Sequence, residues 1–121
     1  YYPRADEGAL TAPGDWAISE MSFKPFAACR HTHPAISAML ELRQKNLSSA
    51  VKCIDVHTYQ AALDFCDQPA PQTSEEARFS IQHAVVMALL KGAPTISDFD
   101  GPALNEPAVV FLRARVHLHV D

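Results

Sequence analysis

The chain has 121 residues, nearly half of them apolar, which suits one compact domain around one core. Its formal charge of −4, with no long basic run, argues against nucleic acid as the main partner. No apolar stretch nears the roughly 20 residues of a membrane span and no signal segment opens the chain, so no membrane association is expected.

Cys29, Cys53 and Cys66 make an odd set without CxxC spacing. An oxidised scaffold normally shows an even set, so buried free thiols in a reducing cytoplasm are expected. The opening Tyr1-Tyr2-Pro3 carries no Met, and the chain reads as a trimmed piece of a longer one.

Residues 1–15 read as an entering linker, with two prolines and two glycines and few large apolar groups, and residues 16–121 as the domain. Trp16, Ile18, Met21, Phe23 and Phe26 predict a first strand, with a bulge, that delivers Lys24 near its end. Pro34 suits the first turn of a helix, continued by Ile36, Met39, Leu40 and Arg43 and stopped at Asn46. Val51, Cys53, Ile54 and Val56 predict a second strand, apolar on both faces and therefore central.

Gln60 to Cys66 is weakly helical, and the two prolines between Asp67 and Gln72 force a loop. Thr73-x-x-Glu76 is a capping box for a helix with the apolar stripe Ala77, Ile81, Ala84, Val85, Ala88, Leu89, ended by Gly92. Asp98 to Gly101 reads as a turn, and Asn105 as the cap of a short helix through Val109 and Leu112. Ala114, Val116, Leu118 and Val120 alternate with Arg115, His117 and His119, the pattern of a half-buried strand. Strands and helices mix without a βαβα rhythm. They predict an α+β two-layer domain with a small, mostly antiparallel sheet packed against helices.

The chemistry concentrates in Lys24-Pro25-Phe26-Ala27-Ala28-Cys29-Arg30-His31-Thr32-His33-Pro34. Lys and Arg can hold carboxylates, and His titrates near neutrality. His33 falls at a helix N-terminus, where free N–H groups favour an anion and a neutral imidazole. Lys24, flanked by Phe23 and Phe26, would be partly desolvated. Together these groups could hold an organic acid and move a proton at its α-carbon.

Two other chemistries compete for the segment. His31 and His33 with Cys29, His57 or Cys53 offer zinc-type donors, but Pro34 starts a helix between them and no second ligand pair has recognisable spacing, so no metal is expected. Cys29 with a histidine could form a nucleophile pair, yet no elbow or orienting amide accompanies it. His117 and His119 read as exposed surface histidines.

The segment from Lys24 to Ile36 resembles the lysine-to-histidine motif of the MmgE/PrpD family. Glu76-Ala77-Arg78-Phe79-Ser80-Ile81-Gln82-His83-Ala84-Val85 resembles a helix start of that family. Asp98-Phe99-Asp100-Gly101-Pro102-Ala103-Leu104-Asn105-Glu106-Pro107 resembles a later segment, in the same order and spacing. The family includes 2-methylcitrate dehydratase, cis-aconitate decarboxylase and iminodisuccinate epimerase. Its members join a large helical N-terminal domain to a smaller α+β C-terminal domain and need no metal or organic cofactor.

The resemblance covers the smaller domain only. It implies a lid that closes over a di- or tricarboxylate held against an N-terminal helical domain, in an enzyme that dimerises through that domain. Lys24 then matches the proton-transferring or carboxylate-contacting lysine and His33 the motif histidine, which would hydrogen-bond a carboxylate. Cys29, Arg30 and His31 become substrate contacts. Some members, animal decarboxylases among them, carry histidine where this chain has Cys29, which points away from decarboxylation. The domain alone is expected to be inactive. The competing reading is a non-catalytic module that grips an anionic ligand or a partner protein.

Overall fold

The computed structural model describes residue 14 and residues 17–45 and 51–121. Among these residues six α-helices and two strands run in the order α1 (His33–Gln44), β1 (Ile54–Thr58), α2 (Gln60–Cys66), α3 (Ser74–Arg78), α4 (Ile81–Lys91), α5 (Gly101–Leu104), α6 (Pro107–Arg113) and β2 (Val116–Val120). Short 3-10 turns occupy Ala17–Glu20, Arg30–Thr32 and Ile96–Phe99. The mixed helix-and-strand class holds. The sheet differs from expectation: among the described residues it is a parallel pair, β1 beside β2, with Ile54 opposite Val116 and Thr58 opposite Val120. A parallel pair needs a long crossover, and α2 through α6 supply it.

The core forms around α4. Every residue from Ile81 to Val86, and on through Ala88, is buried, because α1 packs on one side of this helix and α6 on another. A helix covered over most of its length has no polar stripe to spare, so its two buried polar residues must bond internally. Gln82 donates from Nε2 to Asp67 Oδ1 at 2.6 Å. His83 donates from Nε2 to the Asp98 carbonyl at 2.8 Å, while Arg113 Nη1 reaches its Nδ1 at 3.4 Å. Burial holds the His83 pKa below its ordinary value, the Asp98 carbonyl resists that, and the Arg113 charge adds to it.

The expected single helix from Thr73 to Gly92 is two. Thr73 caps α3 as anticipated, its Oγ1 accepting from the Glu76 N–H at 3.1 Å. Ser80 then breaks the run. Its backbone is extended, its Oγ accepts from the His83 N–H at 3.0 Å, and the hydroxyl donates to the Gln68 carbonyl at 2.6 Å. A serine that bonds in this way starts a new helix rather than continuing the old one. Gly92 ends α4 at φ +96°, where a Cβ would also sit 2.8 Å from Arg43 Nη1.

Other expectations need correction. No strand spans Ile18 to Phe26: a 3-10 turn is followed by irregular chain, Phe23 is 93% exposed, and Pro25 lacks the N–H a ladder requires. β1 is not doubly apolar, since Asp55 and His57 face solvent while Ile54 and Val56 turn toward the core. Asp98 to Gly101 is no simple turn but the end of a 3-10 turn running into α5. Glu106, not Asn105, precedes α6, and Asn105 Nδ2 instead donates to the Gly101 carbonyl at 3.0 Å. All three cysteines are free, but Cys53 is exposed rather than buried. Trp16 and Asn46 lie outside the described residues.

The outer face of the strand pair carries two histidine–carboxylate pairs. His119 Nε2 lies 2.9 Å from Asp55 Oδ1 and His57 Nδ1 lies 3.0 Å from Asp121 Oδ1, with the two imidazoles stacked at 4.8 Å. The hydrogen bond to His119 holds the Asp55 carboxyl below its ordinary pKa. These groups are exposed, as expected for His117 and His119, and contribute little to stability.

Candidate functional site

Residues 24–29 line a hollow of about 580 Å³, closed on the other side by Arg78, Phe79 and Ile96. That volume lies within the usual range for small-molecule sites. Two backbone constraints hold its wall. The Cys29 N–H donates to the Arg78 carbonyl at 2.8 Å, tying the segment to the end of α3. The chain then tightens into the 3-10 turn, with the Thr32 hydroxyl on the Cys29 carbonyl at 2.8 Å. The break at Ser80 is what leaves the Arg78 carbonyl at a helix end, free to accept.

Lys24 and Cys29 line this hollow; Arg30, His31 and His33 do not. The turn at Arg30–Thr32 winds those three side chains away from it. His33 is buried as the first residue of α1, edge-on to Phe26 at 5.2 Å, with Nε2 donating to the Ala28 carbonyl at 3.2 Å. It therefore braces two residues of the wall, and the expected convergence of positions 24 and 33 on one cavity is not seen. His31 is clasped elsewhere, its Nδ1 2.6 Å from Tyr59 Oη and its ring stacked on Phe65 at 5.4 Å. Arg30 is exposed. Lys24 is exposed too, so its aromatic neighbours do not desolvate it.

Arg78 is the member of the site that sequence reasoning did not assign. Its Nε is buried with no hydrogen-bond partner among the described residues. An orphaned buried donor is costly, and a guanidinium beside a lysine in one hollow makes an anion receptor. The signal was present: an arginine ending a capped helix, two residues before a serine able to stop it. Phe79 and Ile96, 44% and 65% exposed, give the same hollow an apolar rim.

No group of three or more potential metal ligands is gathered among the described residues, and no helix among them is long and apolar enough to cross a membrane.

The site is thus a cationic, apolar-rimmed hollow in a small mixed domain. Residues 26–121 match the model of the MmgE/PrpD C-terminal domain, and the chain belongs to that family. The match begins two residues after Lys24, so Phe26, Cys29 and Arg78 lie inside it and the lysine stands at its border. A search of curated proteins finds no match to the chain.

Proposed function

We propose that this chain is the lid and substrate-binding domain of a cytoplasmic, cofactor-independent lyase or isomerase acting on a di- or tricarboxylate. The observation that carries the reading is the pairing of Lys24 with Arg78 in one hollow, with the Arg78 Nε lacking an acceptor among the described residues. A carboxylate entering there bonds to the Arg78 guanidinium and places its α-carbon near the lysine. Lys24 then exchanges the α-proton or stabilises the charge that forms when it leaves. His33 acts through Ala28 and Phe26, holding the wall against which the acid rests. Cys29 touches the substrate from the same wall, while Arg30 and His31 reach it only if the segment shifts on closure.

Exposed Phe23, Phe79 and Ile96 around Lys24 and Arg78 favour a lid that docks on another surface. An N-terminal helical domain of the same enzyme would cover them, exclude water and bring the remaining acid/base groups. The test is turnover by the full-length protein on a panel of citrate-like and aspartate-derived acids. Saturable turnover of one of them, lost in Lys24→Ala, supports the reading. Tight binding of an acid with no turnover by the full-length protein replaces it with the non-catalytic module.

A further inference from the structure

The open edge of β1 is self-complementary. Ile54 donates its N–H to the Arg115 carbonyl at 2.9 Å, and the Thr58 carbonyl accepts from the Asp121 N–H at 3.0 Å. Backbone groups along a strand point alternately to either side, so Ile54, Val56 and Thr58 face β2. The N–H and C=O groups of Asp55 and His57 therefore point the other way, and no further strand lies on that edge among the described residues. β1 has no proline, glycine, lysine or bulge to blunt it. A groove of about 350 Å³ touches all five residues of β1 and, on α1, Ala38, Met39 and Leu42. Side chains alternate between faces, so a groove that meets every residue of a strand follows its edge.

We propose that two copies of this chain associate through this edge, β1 running antiparallel to β1 about a two-fold axis at Val56. Asp55 of one copy then lies opposite His57 of the other and exchanges both backbone bonds with it, and the axis repeats the pair. Val56 meets Val56 on the groove side, beside exposed Leu42. On the outer face each Asp55 carboxylate stands directly across from an imidazole, a favourable cross-strand pair. The bonds of Asp55 to His119 and of His57 to Asp121 already hold both side chains on that face. Charge selects the register. An axis at residue 55 would oppose two carboxylates, and one at residue 57 two imidazoles. The far edge of β2 offers no such match, because an axis at Leu118 sets His117 against His119. Pairing also turns a marginal two-stranded sheet into one of four strands. The edge is short, so the dimer is weak and depends on concentration. This proposal does not rest on the enzymatic reading, and its test uses no turnover.

Sedimentation velocity on the whole 121-residue chain, from micromolar to millimolar concentration, is expected to show a monomer passing reversibly to a dimer. His57→Pro removes an outward N–H and leaves the bonds to β2 in place. It is expected to weaken the dimer by about tenfold or more, with the melting temperature held. In a Cys53→Ser background, Val56→Cys sets two Cα atoms about 4.5 Å apart across the axis, within disulfide reach. Diamide is expected to join the two copies at position 56, and dithiothreitol to part them. A chain that stays monomeric throughout overturns the proposal. If the Asp55 and His57 amides of that monomer resist hydrogen exchange, the edge belongs to another segment of the same chain. A dimer that His57→Pro leaves unchanged, or that Val56→Cys does not cross-link at position 56, overturns it as well.

Discussion

Two arginines in this domain occupy opposite situations. Arg113 is buried beneath α4, and its Nη1 donates to the Leu104 carbonyl at 3.2 Å and reaches His83 Nδ1. Arg78 stands in the wall of an open hollow with a buried Nε that has no acceptor among the described residues. The first guanidinium finds its acceptors inside the fold and acts as framework. The second keeps donor capacity in reserve, which is what a binding site requires. Burial alone would have ranked the two the wrong way round for function.

The sharpest division between the regions should come from Lys24. If the proposed function holds, Lys24→Ala in the full-length protein should lower kcat by about a hundredfold or more, the usual worth of a positioned acid/base group, with an unchanged melting temperature. Near-normal turnover would remove Lys24 from the chemistry. Arg113→Met should do the reverse, costing about 2 kcal/mol in urea denaturation because buried acceptors lose their donor, with little effect on affinity in the folded fraction.

Arg78→Met should raise KM by about tenfold, the loss of one charge-assisted hydrogen bond, and leave stability nearly unchanged. A stability loss as large as that of Arg113→Met would erase the contrast. Ser80→Ala should cost about 1 kcal/mol through the lost cap of α4, read by the same urea titration.

The gentlest probe is pH. His83 is held below the ordinary 6.5 in the folded chain, so the unfolded chain binds its proton first on acidification. Stability from this group is full above 6.5 and falls as pH drops below it. His83→Gln should flatten that slope in denaturation curves recorded from neutral to mildly acidic pH.

Much of the fold was legible where local signals were unambiguous. Pro34, the Thr73–Glu76 box, Gly92 and the closing alternation each placed an element correctly. Ser80 was harder, because an apolar stripe continues across it, and its cap on His83 is joined by a bond to the distant Gln68 carbonyl. The parallel pairing of β1 and β2 depends on a long-range register that no local pattern carries. At the site, residue types pointed to the right segment, but direction did not follow from type. The turn after Cys29 sends His31 and His33 away from the hollow, and Arg78 enters it from residues some fifty positions later in the sequence.

The strand pairing has a consequence for how the molecule is made. β1 finds its partner only after all of α2 to α6 has emerged, since Ile54 pairs with Val116. During synthesis its outward N–H and C=O groups must wait unzipped, so the ladder closes late and the nascent domain is most exposed to mispairing just before β2 arrives.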